Sequence, residues 1–237
     1  MRELVSFSPS TPLSIEEWEM VLSSAPFVRW CNQLTSSFVV ESVEIETVDF
    51  TRSTPKKVLF IKLKASVRDR SGRLLHQIVL LRGDAVGILV VLKTAERGEQ
   101  LLMVRQPRVA VAEEAILEIP AGMVDPGETP REVALRELKE ETGLLASPEE
   151  LIDLLPDHPE GFFSSVGLLD ERLFLFLYER EATAEELRKL TEARFGVEAE
   201  GERITLELAS ADDPSPLIDS KGLLAWLLWR RLRSKRS

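Results

Sequence analysis

Glu137, Glu140 and Glu141 crowd one short stretch of the segment 122–144, GMVDPGETPREVALRELKEETGL. Successive residues of a helix turn by about 100°. Glu137 and Glu141 then point the same way, with Glu140 on the adjoining arc. Carboxylates so placed repel one another, which raises their pKa values and weakens the helix unless a cation intervenes. Cations in the same segment are few: Arg131, Arg136 and Lys139. A divalent ion, Mg2+ or Mn2+ in its place, answers that need. Hard cations take oxygen ligands and keep waters for a phosphate substrate. By itself, E-x-x-E-E reads better as a solvated acidic helix face, so the chemistry must be carried by the whole 23-residue pattern.

The helix that positions these acids has marked ends. Thr129 suits the N-cap, Pro130 the first helical position, and Glu132 completes a capping box. Gly143 can close the helix in the left-handed conformation. Between them, Ala134, Leu135, Leu138 and Thr142 form the side for the core.

The flanking elements are strands. AVGILVVLK and QLLMVRQPR read as a buried hairpin joined by TAERGE, and ILEIPAG leads into the loop before the helix. RLFLFLYERE at 172–181 and ERITLELAS further on are strands, with ATAEELRKLTEAR a short helix or helical loop between them. SKGLLAWLLWRRLRSKRS is a last helix with a basic end. Such a helix packs on a core more often than it lies on a membrane. Earlier, 14–32 reads as one helix opened by a Ser14/Glu17 capping box. VESVEIETVDF, KVLFIKLKASVRD and LLHQIVLLRGD follow as half-polar strands, with a turn at 69–72. The expected class is α+β: a β-rich unit at 1–84 precedes a mixed sheet flanked by helices at 85–237.

Composition limits the function. The 237 residues carry a formal net charge of −10, a poor basis for holding nucleic acid by phosphate neutralisation. Cys31 is the single cysteine, so no intrachain disulfide forms. Neither a signal-like apolar segment at the start nor an apolar run of about 18 residues is present, and the expectation is a cytoplasmic protein without membrane attachment.

The 122–144 segment resembles the Nudix box, G-x5-E-x7-R-E-U-x-E-E-x-G-U with U a bulky aliphatic, at every fixed position. Gly122 is its first glycine and Glu128 its isolated acid. Arg136-Glu137-Leu138 forms R-E-U, Glu140-Glu141 the E-E pair, and Gly143-Leu144 the end. The resemblance implies an α/β/α sandwich and metal-assisted hydrolysis of a pyrophosphate. It implies Glu137 and Glu141 as main metal ligands, Glu140 as a further ligand or water partner, and a backbone carbonyl of Ala121 or Gly122 beside them. Arg136 is expected to pair with Glu128.

Outside the box, ILEIPAG is similar to the entry segment of ADP-ribose and ADP-sugar pyrophosphatases. LLMVRQPRV resembles their E-Q-x-R strand, with Arg105 at the acid's place and Gln106 and Arg108 at the other two. Arg108 suits a substrate phosphate or a surface salt bridge. Ser165, Gly167, Asp170 and Glu171 also fall on matching positions, while Ser164 stands where proline is usual. The layout as a whole is most similar to plant ADP-sugar diphosphatases. This implies an ADP-sugar as substrate, with NADH, a dinucleoside polyphosphate or a nucleoside triphosphate as alternatives, and a homodimer whose N-terminal strands lend substrate contacts. It further implies a late-loop catalytic glutamate, for which Glu202 is preferred over Glu198 and Glu200. Phe50, Phe162 and Phe163 are candidates for an adenine slot, although each also suits a core.

Overall fold

Half-polar strands fill the first part of the chain and fully apolar ones the second, and each kind builds its own unit. The computed structural model describes every residue except 8–11, 52–54, 197–202 and 236–237. Met1–Asp84 and Phe163–Arg172 form one unit; Ala85–Phe162 and Leu173–Ser237 form the other.

In the first unit, β1 (Val5–Phe7), β2 (Val39–Phe50), β3 (Val58–Arg68) and β4 (Leu74–Leu81) make a sheet in that order. β1 runs parallel to β2 and the other pairs are antiparallel. β3 alternates: Ile61, Leu63, Ala65 and Val67 are buried, while Lys62 and Lys64 reach out to Glu46. The buried face packs with Val21, Phe27 and Cys31 from two helices, α1 (Ile15–Ser23) and α2 (Ala25–Ser37). The single helix expected over 14–32 is therefore corrected. Ser24 is extended (φ −62°, ψ 138°), closing α1 and opening α2. Pro26 explains the break, since its ring would clash with the carbonyl one turn earlier in a continuous helix yet fits the first turn of a new one. The segment Phe163–Arg172 is tied in by Asp170, which accepts the amides of Arg82 (2.7 Å) and Gly83 (3.2 Å).

The second unit comprises β5 (Ala85–Thr94), β6 (Gly98–Arg108), β7 (Glu113–Glu118), β8 (Ala121–Met123), α3 (Pro130–Thr142), β9 (Leu151–Asp153) and β10 (Phe162–Phe163). β11 (Arg172–Glu181), α4 (Ala184–Glu192), β12 (Arg194–Phe195), β13 (Ile204–Ser210) and α5 (Ser220–Ser234) follow. Its sheet runs β11-β5-β6-β13-β12, with β11 parallel to β5 and the β5–β6 and β6–β13 pairs antiparallel, so the sheet is mixed. Both faces of β5 are covered, which is why it is a continuous apolar run. Val86, Ile88, Val90 and Leu92 pack under Val133, Ala134 and Leu138 of α3 and Leu187 of α4. Leu89 and Val91 face Ala225 and Trp229 of α5. Helices therefore cover the sheet on both sides, an α/β/α arrangement. Among the described residues no helix is long and apolar enough to cross a membrane.

One detail of this sheet sets up the site. β5 pairs with β6 over Val90–Thr94, but over Ala85–Gly87 it pairs with β8. The chain leaves β7, crosses at Ile119-Pro120, and returns as β8 beneath α3, with the Ile88 amide donating to the Pro120 carbonyl (2.8 Å).

Candidate active site

Thr129 accepts the Glu132 amide while Glu132 accepts the Thr129 amide, so α3 begins with both halves of a capping box. It ends at Gly143 in the left-handed conformation (φ 71°). A Cβ there would lie 2.7 Å from the Phe195 ring, a second reason for glycine. Fixed at both ends, the helix sets its acids over β8.

Glu141 is only 3% exposed, and its Oε2 accepts the Ala121 amide at 2.9 Å. The helical wheel had placed it on a polar arc; the returning strand β8 instead draws it inward. Glu137 lies against Gly122, where a Cβ on the glycine would overlap the Glu137 carboxylate. Gly122 thus leaves room for the Glu137 side chain, which an added Cβ would displace.

Arg136 fans out across three acids. One terminal nitrogen donates to Glu137 (2.7 Å) and to Glu140 (3.1 Å). Nε and the other terminal nitrogen each donate to Glu128 at 3.3 Å. Burial alone would ease the proton off this guanidinium, but the charges of Glu137 and Glu128 outweigh it and hold the pKa above the ordinary arginine value. The pairing expected with Glu128 is present. Arg136, one of the few cations expected nearby, sits between Glu137 and Glu140. Arg131 is spent elsewhere, on the carbonyls of Pro148 (2.7 Å) and Leu151 (2.5 Å).

The donor set fits a divalent cation by its chemistry. Glu137, Glu140 and Glu141 offer only carboxylate oxygens, the donors that Mg2+ and Mn2+ take. Among the described residues no three acid, imidazole or thiol groups are yet gathered to enclose an ion. Arg136 lies between Glu137 and Glu140 and also pairs with Glu128.

A second charged cluster lies where β7 meets α5. Arg108 donates to Glu118 through Nε (2.5 Å) and a terminal nitrogen (3.2 Å). Lys221 donates to the second oxygen of Glu118 and to Asp219. Glu118 is 5% exposed. Burial would raise its pKa, yet Arg108 and Lys221 more than offset this and hold it below the ordinary glutamate value. Removing a partner from such a buried carboxylate costs about 3–5 kcal/mol. Gln106 lies on the same strand as Arg108 and is 9% exposed. Arg105 pairs with Glu207 across β6 and β13.

The structure therefore brings Ala121, Gly122, Glu128, Arg136, Glu137, Glu140 and Glu141 together at one place. The Ala121 amide donates to Glu141. Glu198, Glu200 and Glu202 lie outside the described residues. Phe50 packs at the edge of the first unit's core, under Lys56 (4.1 Å), and Phe162 packs against the second unit's core. Phe163 is 46% exposed, beneath Arg172 (5.3 Å). Glu118 and Lys221 were not singled out from the sequence. The signal for Glu118 was a charged residue inside the apolar run ILEIP; Lys221 had none.

Residues 81–221 match the NUDIX domain family. The chain is similar to Nudix hydrolase 14, chloroplastic, of Arabidopsis thaliana, at 30% identity over 220 residues, 87% of this chain and 70% of that protein. It is also similar to the ADP-ribose pyrophosphatase of Bacillus subtilis (strain 168), at 37% identity over 135 residues, 57% of this chain and 64% of that one. Among solved structures, a crystal structure of an ADP compounds hydrolase superposes with a TM-score of 0.57 at 19% identity. It covers 85% of this chain and 96% of that chain, a likeness of fold. The chain belongs to the Nudix family. It is a Nudix hydrolase, of an enzyme class that generally uses divalent metal ions.

Proposed function

We propose that the chain hydrolyses the pyrophosphate bond of an ADP-sugar, ADP-ribose or ADP-glucose, giving AMP and a sugar phosphate with Mg2+ as cofactor. The observation that carries the reading is the seat of Glu141, buried and held by the Ala121 amide beside Glu137 and Glu140. The name of the Bacillus subtilis relative supports the substrate class.

Glu137, Glu140 and Glu141, with the carbonyl of Ala121, would hold the ion. When bound, Mg2+ supplies charge stabilisation for the phosphate oxygens and lowers the pKa of the attacking water. The protein's own part is positional. Arg136 stays on Glu128 and anchors the loop to the helix, and Gly122 leaves room for Glu137. Arg108, its side chain 43% exposed, is assigned to a substrate phosphate, and Gln106 to the same subsite. Glu202 is assigned as a catalytic acid.

The first unit is proposed to dimerise. Supporting this, Phe38, Ile78, Phe163 and Leu168 are exposed apolar residues around a cavity of about 440 Å³ within that unit. Sedimentation showing monomer alone at working concentration refutes it. The substrate is tested with a panel of ADP-ribose, ADP-glucose, NADH, a dinucleoside polyphosphate and ATP, each with Mg2+. Release of AMP from the ADP-sugars in preference to the others is expected. A preference for ATP or NADH overturns the substrate and leaves the family standing.

A further inference from the structure

The second charged cluster is graded from inside to outside. Lys221 is the inner cation, its side chain 15% exposed, and Arg108 the outer one at 43%. Between them the Glu118 carboxylate is 6% exposed. Lys221 is also held by Asp219, which is itself fixed as the N-cap of α5 and accepts the Gly222 amide at 2.9 Å. The inner cation is therefore locked to the scaffold at two carboxylates.

We propose that Lys221 is a positioning residue for the pyrophosphate site: it neutralises Glu118 from within, so that Arg108 is free to exchange that carboxylate for a substrate phosphate. The proposal rests on the assignment of Arg108 to substrate made above. A buried carboxylate needs a cation at all times. With Lys221 in place, Glu118 keeps one when Arg108 leaves. Without it, Glu118 retains Arg108 as its counter-ion, and substrate must compete against that bond.

Lys221→Met in the full chain is then expected to raise KM for ADP-ribose roughly tenfold or more while kcat changes little, the pattern of lost ground-state binding. Lys221→Gln, which keeps a hydrogen-bond donor without the charge, carries the same expectation and serves if the Met variant does not fold. Lys221→Arg should restore KM. The decisive variant is the double substitution Glu118→Gln with Lys221→Met. Removing the acid's charge releases Arg108, so KM should fall back toward the wild-type value. A merely structural role for Lys221 predicts a double variant no better than the single one. Turnover by the wild type with an unchanged KM in Lys221→Met and Lys221→Gln overturns this inference alone. Absence of ADP-ribose turnover by the wild type removes the functional reading, and this inference with it.

Discussion

Two charged clusters in the second unit solve different problems. Around Arg136, three acids share the guanidinium and a fourth, Glu141, stands buried alongside. Around Glu118, two acids and two cations alternate. The first arrangement gathers four carboxylates about one guanidinium, and its donors are all oxygens. The second pairs its acids with cations. An unbalanced cluster reads as a place awaiting a cation, and a balanced one as a brace that sets a neighbouring group.

The sharpest way to break this contrast is to remove charge from the unbalanced side. Glu141→Gln and Glu137→Gln should each lower kcat on the order of 100-fold or more. Both should also abolish the rise in thermal midpoint that Mg2+ gives the wild type, since only a native state that binds the ion is stabilised by it. Full activity in both variants, or an undiminished Mg2+ shift, would refute the metal assignment. A smaller effect, on the order of 10–100-fold, is expected from Gly122→Ala. The added methyl overlaps the Glu137 carboxylate and must displace it. Activity should fall while the far-ultraviolet spectrum stays unchanged. An active Gly122→Ala protein would mean that the seat of Glu137 is unimportant.

The two clusters were unequally legible. α3 was readable to the residue because Thr129, Glu132, Pro130 and Gly143 each act locally, and the helix does span Pro130–Thr142. The continuous apolar runs of β5 and β6, joined by a short polar stretch, likewise announced a buried hairpin. The burial of Glu141 was not readable, because it depends on where β8 returns, and the β5–β8 register is a long-range fact. The break between α1 and α2 was missed because Pro26 suits the first turn of a helix as well as it ends one. The Glu118–Lys221 pair was beyond local reading: 103 residues separate its members, and neither belongs to a periodic pattern that predicts the other.

The balanced cluster makes its own prediction, the smallest of the set, in the response to acid. Arg108 and Lys221 hold the Glu118 pKa below the ordinary glutamate value. An acid with a depressed folded-state pKa stabilises the protein above its unfolded value, and that contribution fades as pH falls through the folded value. Wild type and Glu118→Gln should therefore differ in denaturation midpoint by a constant amount above about pH 5. The gap should narrow as the solution is taken below the ordinary glutamate range. A gap that stays constant down to acid unfolding would show that Glu118 is not held ionised by its two cations. The brace would then have no electrostatic basis, and the contrast between the clusters would reduce to a difference in burial.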